Sequence, residues 1–226
     1  IPVYNEKKTV RKAIQDIVDL KIEKEIIIID NNSNDGSKDI INEFKYIENL
    51  KIVFKEKNYG FGHSIKKAFE ISKGKYLFIQ YADLEYDYKA SIKMLQIAQD
   101  ENIDVIFASR LIKLNNREKI KAILKKPSYL ATIVCTFLIN FFYNLKLTDI
   151  IGTKLYNRNK LLSLIPNTNG QGFDFELVSI ICKKKLKIKE MHIDYSPRIN
   201  SKEKKIKFYH MFNAIYGILK IKFFSK

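Results

Sequence analysis

The chain has 226 residues, 46% of them hydrophobic, with 41 Lys and Arg against 25 Asp and Glu and a net charge of +16 at neutral pH. That length suits one large α/β domain with a sizeable core. It excludes a small stapled scaffold, since Cys135 and Cys182 lie in apolar runs with no Cys or His at ligand spacing. The charge asks for an anionic partner, but the lysines are spread along the chain instead of gathered into Arg-rich, aromatic-flanked clusters, so no nucleic acid is expected. The cysteine usage points to a reducing, cytoplasmic compartment.

Short apolar runs alternate with helix-period segments, the pattern of a mostly parallel sheet flanked by helices. The chain opens at Ile1-Pro2 already in apolar register and with no signal-peptide pattern, so the first strand is expected to be truncated at its N-terminus. Further strands are predicted over 25–30, 51–54, 75–80 and 104–109, with helices over 7–20, 37–44, 62–72 and 89–100 between them. Each later strand thus follows its own crossover helix, and ligands gather at the strands' carboxyl ends. Tyr4, Asn5, Glu6, Asp30 and Asp83 all fall at such ends.

The second half changes character. Residues 111–126 are basic and lack strand signals, and 129–143 are almost wholly apolar yet too few to span a bilayer. Ser128, Thr132, Thr136, Asn140 and Asn144 recur every fourth residue, a polar stripe along one helix face. A core-facing helix and a helix resting in a membrane interface both fit that pattern. Over 206–224, Phe208, Phe212, Ile215 and Leu219 share one helical face with lysines at both ends, which suits an anionic membrane surface or a docked terminal helix.

Three motifs carry chemistry. Ile1–Glu6 reads I-P-V-Y-N-E, residues 26–37 read I-I-I-I-D-N-N-S-N-D-G-S, and an apolar strand ends at Tyr81-Ala82-Asp83-Leu84-Glu85. In that order they resemble the GT-A glycosyltransferases of family 2, and within it the dolichyl-phosphate mannose synthases and related polyprenyl-phosphate sugar synthases. Later segments extend the resemblance over nearly the whole chain: Thr148-Asp149 to Arg158, Gly172-Phe173-Asp174-Phe175-Glu176, and Tyr195-Ser196-Pro197-Arg198 leading to Lys204-Lys205. The resemblance implies a GT-A, Rossmann-like nucleotide-sugar domain over 1–200 with a basic amphipathic helix over 201–226. It also implies an inverting transfer from a UDP- or GDP-linked sugar to an acceptor, with a polyprenyl phosphate at the cytoplasmic face of a membrane as the expected one.

Residue by residue, Tyr4 and Glu6 can stack on a base and accept from ribose hydroxyls, while Asp30 is implied to read the base by accepting its N–H. Pro2, Asn31 and Ala82 belong to the same implied donor site. Asn58-Tyr59-Gly60-Phe61-Gly62 forms a turn before a helix whose N–H groups can approach a phosphate. It lacks the third glycine of a dinucleotide fingerprint, Ile65 standing there, so a dehydrogenase is not expected. Arg158, Arg198 and Lys205 are the cations assigned to phosphates, and Asp174 is the candidate acid or base facing the acceptor.

The acidic strand end departs from the family, which places two aspartates around one residue. Tyr81 stands where the first is expected; Asp83 remains, and strand alternation would set Glu85 on the same side as Asp83. Asp83 and Glu85, with diphosphate oxygens and water, are therefore the expected ligands of Mg²⁺ or Mn²⁺. The tyrosine also admits a nucleotide-sugar-binding homologue without turnover, and an acceptor that is a sugar hydroxyl stays open.

Overall fold

The computed structural model describes residues 1–118, 121, 128–170, 172–198 and 210–224. Strand β1 (Pro2–Val3) is followed by α1 (Val10–Val18), β2 (Ile26–Asp30), α2 (Ser37–Asn42), β3 (Leu50–Phe54) and α3 (Phe61–Ile71). Next come β4 (Tyr76–Phe78), α4 (Ala90–Asp100), β5 (Val105–Ser109), α5 (Ser128–Tyr143) and β6 (Lys154–Asn157). Helix α6 (Arg158–Leu161), α7 (Phe173–Lys183), β7 (Ile188–His192) and α8 (His210–Phe223) complete the order.

β1, β2 and β3 form a parallel ladder with β2 central. β4, β6, β5 and β7 form a second ladder, in which β5 and β7 are parallel and β6 runs antiparallel between β4 and β5. The four early strands lie within three residues of the predicted bounds at each end, because unbroken apolar runs such as Ile26–Ile29 can only be satisfied in a covered sheet. β6 and β7 were not anticipated. Both carry charge, Lys154 at the start of β6 and Lys189 with Glu190 within β7, which hides the strand period.

The main core gathers Phe69 of α3, Phe107 of β5, Tyr156 of β6, Ile139 of α5 and Phe173 and Leu177 of α7. Helix α5 turns its expected polar stripe inward. Thr132 and Thr136 are buried, and the Asn140 amide both donates to the Leu147 carbonyl at 2.8 Å and accepts from its N–H at 2.9 Å. The apolar ridge faces outward instead: Phe137 and Phe141 are 64% and 71% exposed. Helix α8 packs beside it through Phe142 and Phe223 and leaves Phe212, Tyr216 and Phe223 exposed. Among the described residues no helix is long and apolar enough to cross a membrane.

Gly152 holds the β5–β6 approach, since a Cβ there would run into the Ala108 carbonyl of β5. Gly152→Ala is expected to cost on the order of 3 kcal/mol through overpacking. Thermal unfolding checks this, and an unchanged midpoint would contradict the assignment.

Candidate active site

The loops leaving β1 and β2 are laced together at the carboxyl edge of the sheet. The Ser33 hydroxyl accepts from Asn5 N–H at 2.8 Å, Ser37 accepts from Glu6 N–H at 2.9 Å, and Asn5 accepts from Asn34 N–H at 2.9 Å. Turn chemistry at Asn31–Ser37 therefore positions Glu6 as much as it positions its own segment. Asp30 is fully buried at the end of β2, with Oδ2 accepting from Ser33 N–H at 3.0 Å and Oδ1 without a partner among the described residues. A buried carboxylate oxygen left unpaired costs folding free energy and is suited to accept from a ligand N–H. Beside it the Asn31 amide donates to Asn58 and accepts from Tyr59 N–H at 3.2 Å, joining residues far apart in sequence.

The acidic turn stands at the carboxyl end of β4. The chain leaves the ladder before Tyr81, Ala82 is buried against the core below β1, and Leu84 adopts a left-handed φ of 59°. That left-handed residue ends strand alternation, and the Glu85 carboxylate turns toward Tyr195 and Arg198. Its Oε2 accepts from the Tyr195 hydroxyl at 2.6 Å and its Oε1 from Arg198 N–H at 2.9 Å. Asp83 Oδ1 accepts from Glu85 N–H at 3.2 Å. The Arg198 guanidinium bonds to the Glu6 carboxylate and to the Asp83 carbonyl, bringing Glu6, Asp83 and Arg198 together.

Aromatic rings and one ion pair hold this turn. Phe61 stacks on Tyr81, Tyr81 meets Tyr86, and Tyr86 meets Tyr195, at centroid distances of 5.9, 5.7 and 5.1 Å. The Arg110 guanidinium lies 5.2 Å from the rings of both Tyr195 and Tyr129 and pairs with Asp149 through two bonds, at 2.6 and 3.0 Å. Burial pushes the Asp149 carboxyl up, but Arg110 outweighs it and holds it below the usual carboxylate range. The Tyr81 hydroxyl is pushed well up, first by burial and then by Asp174 and Tyr86, so it stays a neutral phenol.

Other expected positions lie elsewhere or do other work. Asp174, in the first turn of α7, pairs with the buried Lys154 at 2.8 Å, and Lys154 also donates to the Gly152 carbonyl at 3.1 Å. Arg158 is not at the site. It sits beside the opening end of β4, where its Nε donates to the Phe69 carbonyl and Ser72 hydroxyl at 3.1 and 3.0 Å and so closes the C-terminus of α3. Gly62 lets Phe173 and the Thr168 carbonyl pack where a Cβ would stand. Pro2 is in β1 paired with Ile29, and Tyr4 follows that strand half-buried. Lys205 lies outside the described residues. The Arg110–Asp149 and Glu85–Tyr195 pairs escaped the sequence reading; Arg110 directly following an apolar strand was the available signal.

For a divalent cation the donor set is thin. Tyr81 is a neutral ring in a stack, and each Glu85 oxygen already accepts a hydrogen bond. Among the described residues no group of three His, Cys, Asp or Glu side chains gathers to hold a metal. In this turn Asp83 Oδ2 has no partner among the described residues. A divalent cation would fit with Asp83 as a carboxylate donor, and would there supply positive charge to a diphosphate.

Burial, with Glu85 and Glu6 adding to it, pushes the Asp83 carboxyl from 3.8 up to about 6 against the pull of Arg198 and the Glu85 N–H. The folded chain holds this proton more tightly than the unfolded chain, so the stability it contributes is complete below pH 3.8 and lost as pH rises through about 6. Asp83→Asn is therefore expected to melt higher than the parent at pH 8, with the difference closing below about pH 4. A lower midpoint for the variant at pH 8 would contradict this.

The family model "Glycosyl transferase family 2" matches residues 1–165. The low-salt glycan biosynthesis hexosyltransferase Agl6 of Haloferax volcanii is 26% identical over 206 residues, covering 88% of this chain and 47% of that protein. A dolichyl-phosphate beta-glucosyltransferase of Saccharomyces cerevisiae is 27% identical over 218 residues, 86% of this chain and 65% of that protein. The chain spans about half the length of the first relatives it matches. Among solved structures, glucosyl-3-phosphoglycerate synthase from Mycobacterium tuberculosis with Mn²⁺, UDP-glucose and phosphoglyceric acid superposes with a TM-score of 0.66. The identity is 15%, covering 97% of this chain and 77% of that one, a likeness of fold that adds GT-A geometry to the family match. By its motifs, its fold and the match over 1–165, the chain belongs to glycosyl transferase family 2.

Proposed function

We propose that this domain transfers a sugar, with inversion, from a nucleotide diphosphate donor to a polyprenyl phosphate at a membrane surface. The observation that carries the reading is the buried Asp30 oxygen without a partner among the described residues, beside the β1 loop whose Glu6 meets Arg198 and, through it, Asp83. A base with a ring N–H, uracil or guanine, would satisfy Asp30. Its diphosphate would then run toward Asp83 and Arg198, and Glu6 would meet the ribose or exchange its ion pair for it. A divalent cation on Asp83, when bound, supplies charge neutralisation to the departing diphosphate. Arg198 adds a fixed guanidinium whose planar donors match phosphate oxygens.

The geometry at Asp174 favours a phosphate acceptor over a sugar hydroxyl. Its carboxylate is tied to the buried Lys154 ammonium at 2.8 Å, so although burial raises its carboxyl above the usual range, a base role would first require breaking that pair. A phosphate acceptor is already ionised near neutral pH and needs no base, so catalysis reduces to positioning and electrostatics. The relative's printed name, dolichyl-phosphate beta-glucosyltransferase, supports a lipid phosphate.

The exposed face of α5 and α8 supports peripheral contact with an anionic membrane. Phe137, Phe141, Phe212, Tyr216 and Phe223 are each at least 62% exposed, on a chain of net charge +16. An aromatic ridge on a basic protein suits a headgroup boundary. In this reading residues 1–200 form the catalytic domain, and the C-terminal helix joins α5 in carrying it to the acceptor.

A donor screen that follows UDP or GDP release tests the proposal, run with polyprenyl phosphate in vesicles and with lipid-free acceptors. Release that requires polyprenyl phosphate and falls by roughly a hundredfold or more in Asp83→Ala is expected, the size of one lost electrostatic contact to developing charge. Donor binding without release under any acceptor would favour the non-catalytic homologue that Tyr81 and the committed Glu85 make conceivable. Phe141→Glu is expected to weaken flotation with anionic vesicles by about tenfold or more, from lost aromatic burial; unchanged flotation would remove the membrane from the proposal.

A further inference from the structure

We propose that Glu85 and Tyr195 form a latch that holds the segment Tyr195–Arg198 over the acidic turn, making Glu85 a positioning residue for Arg198 and no metal ligand. The inference rests on the reading of Asp83 and Arg198 as the donor diphosphate site. Residues 195–198 belong to no helix or ladder; one isolated bridge pairs Tyr86 with Tyr195. What fixes the segment is a set of bonds to one residue. Ser196 N–H donates to the Glu85 carbonyl at 2.8 Å, Arg198 N–H to Glu85 Oε1 at 2.9 Å and the Tyr195 hydroxyl to Glu85 Oε2 at 2.6 Å.

The Tyr195 ring is itself set between Tyr86 and the Arg110 guanidinium, so its hydroxyl points from a rigid base. Both Glu85 oxygens thereby accept from the segment, and the guanidinium of Arg198 is delivered to Glu6 and Asp83. The position that composition alone marks as a second metal ligand has been turned to a different task. A charge-assisted bond from the phenol to the carboxylate is short and directional, which suits a hinge point more than a solvated contact. Arg198 can then meet the diphosphate without first paying the entropy of ordering its own backbone.

The test is calorimetric titration of UDP and GDP, with and without Mn²⁺, on the parent chain, Tyr195→Phe and Glu85→Gln, with amide hydrogen exchange at Ser196 and Arg198. The phenylalanine keeps the ring and removes only the hydroxyl; thermal unfolding verifies that both variants are folded. The latch predicts nucleotide binding weakened about three- to tenfold in Tyr195→Phe, the size of one ordinary hydrogen bond's net effect passed on through Arg198. It also predicts faster exchange of the two amides, and a gain in affinity on adding Mn²⁺ that is the same in parent and variants. Unchanged affinity and exchange in Tyr195→Phe would overturn it, as would a Mn²⁺ gain abolished by Glu85→Gln alone. If the parent bound neither nucleotide, the donor reading would fall, and the exchange rates would still decide the latch.

Discussion

The bidentate pair between Arg110 and Asp149 is the interaction on which the site's geometry depends. It joins the residue after β5 to the turn before β6, with both partners removed from water. Two charges so placed cost desolvation, and the pair repays it only through good geometry and further hydrogen bonds. Both are present. Asp149 also accepts from Ile151 and Arg110 N–H groups, and Glu190 of β7 accepts from the N–H groups of Thr148 and Asp149. Removing either partner would strand a buried charge at a cost of about 3–5 kcal/mol.

From that pair outward, each contact constrains the next. Arg110 offers one face to Tyr129 of α5 and another to Tyr195, Tyr195 reaches Glu85, and Glu85 orders Arg198. The helix with an exposed aromatic ridge is thus linked by packed rings to the acidic turn. The exposed aromatic ridge and the acidic turn share one rigid support, an arrangement the proposed transfer from a nucleotide to a membrane acceptor would use.

The sequence disclosed what depends on apolar periodicity and strand ends. The runs Ile26–Asp30 and Val105–Ser109 could only be covered strands, and the apolar runs of β2 and β4 put Asp30 and Asp83 at or just beyond strand carboxyl ends. It failed where a side chain's chemistry was read without its neighbours. Arg158 has the right group for a phosphate, yet it meets the end of α3. Glu85 has the right spacing for a ligand, yet Leu84 turns left-handed and hands it to Tyr195. The stripe of Thr132, Thr136 and Asn140 was visible as a stripe; that it points inward and leaves the phenylalanines outside depends on packing against the core, which periodicity does not encode.

The central claim is that one nucleotide donor bridges the β2 edge and the acidic turn. Hydrogen–deuterium exchange with saturating UDP-glucose or GDP-mannose tests it most directly. Simultaneous protection of the loop after Asp30 and of the Asp83–Glu85 turn with Tyr195–Arg198, and none around Arg158, is the predicted result. Protection of neither loop by either donor, or protection centred on Arg158, would contradict it.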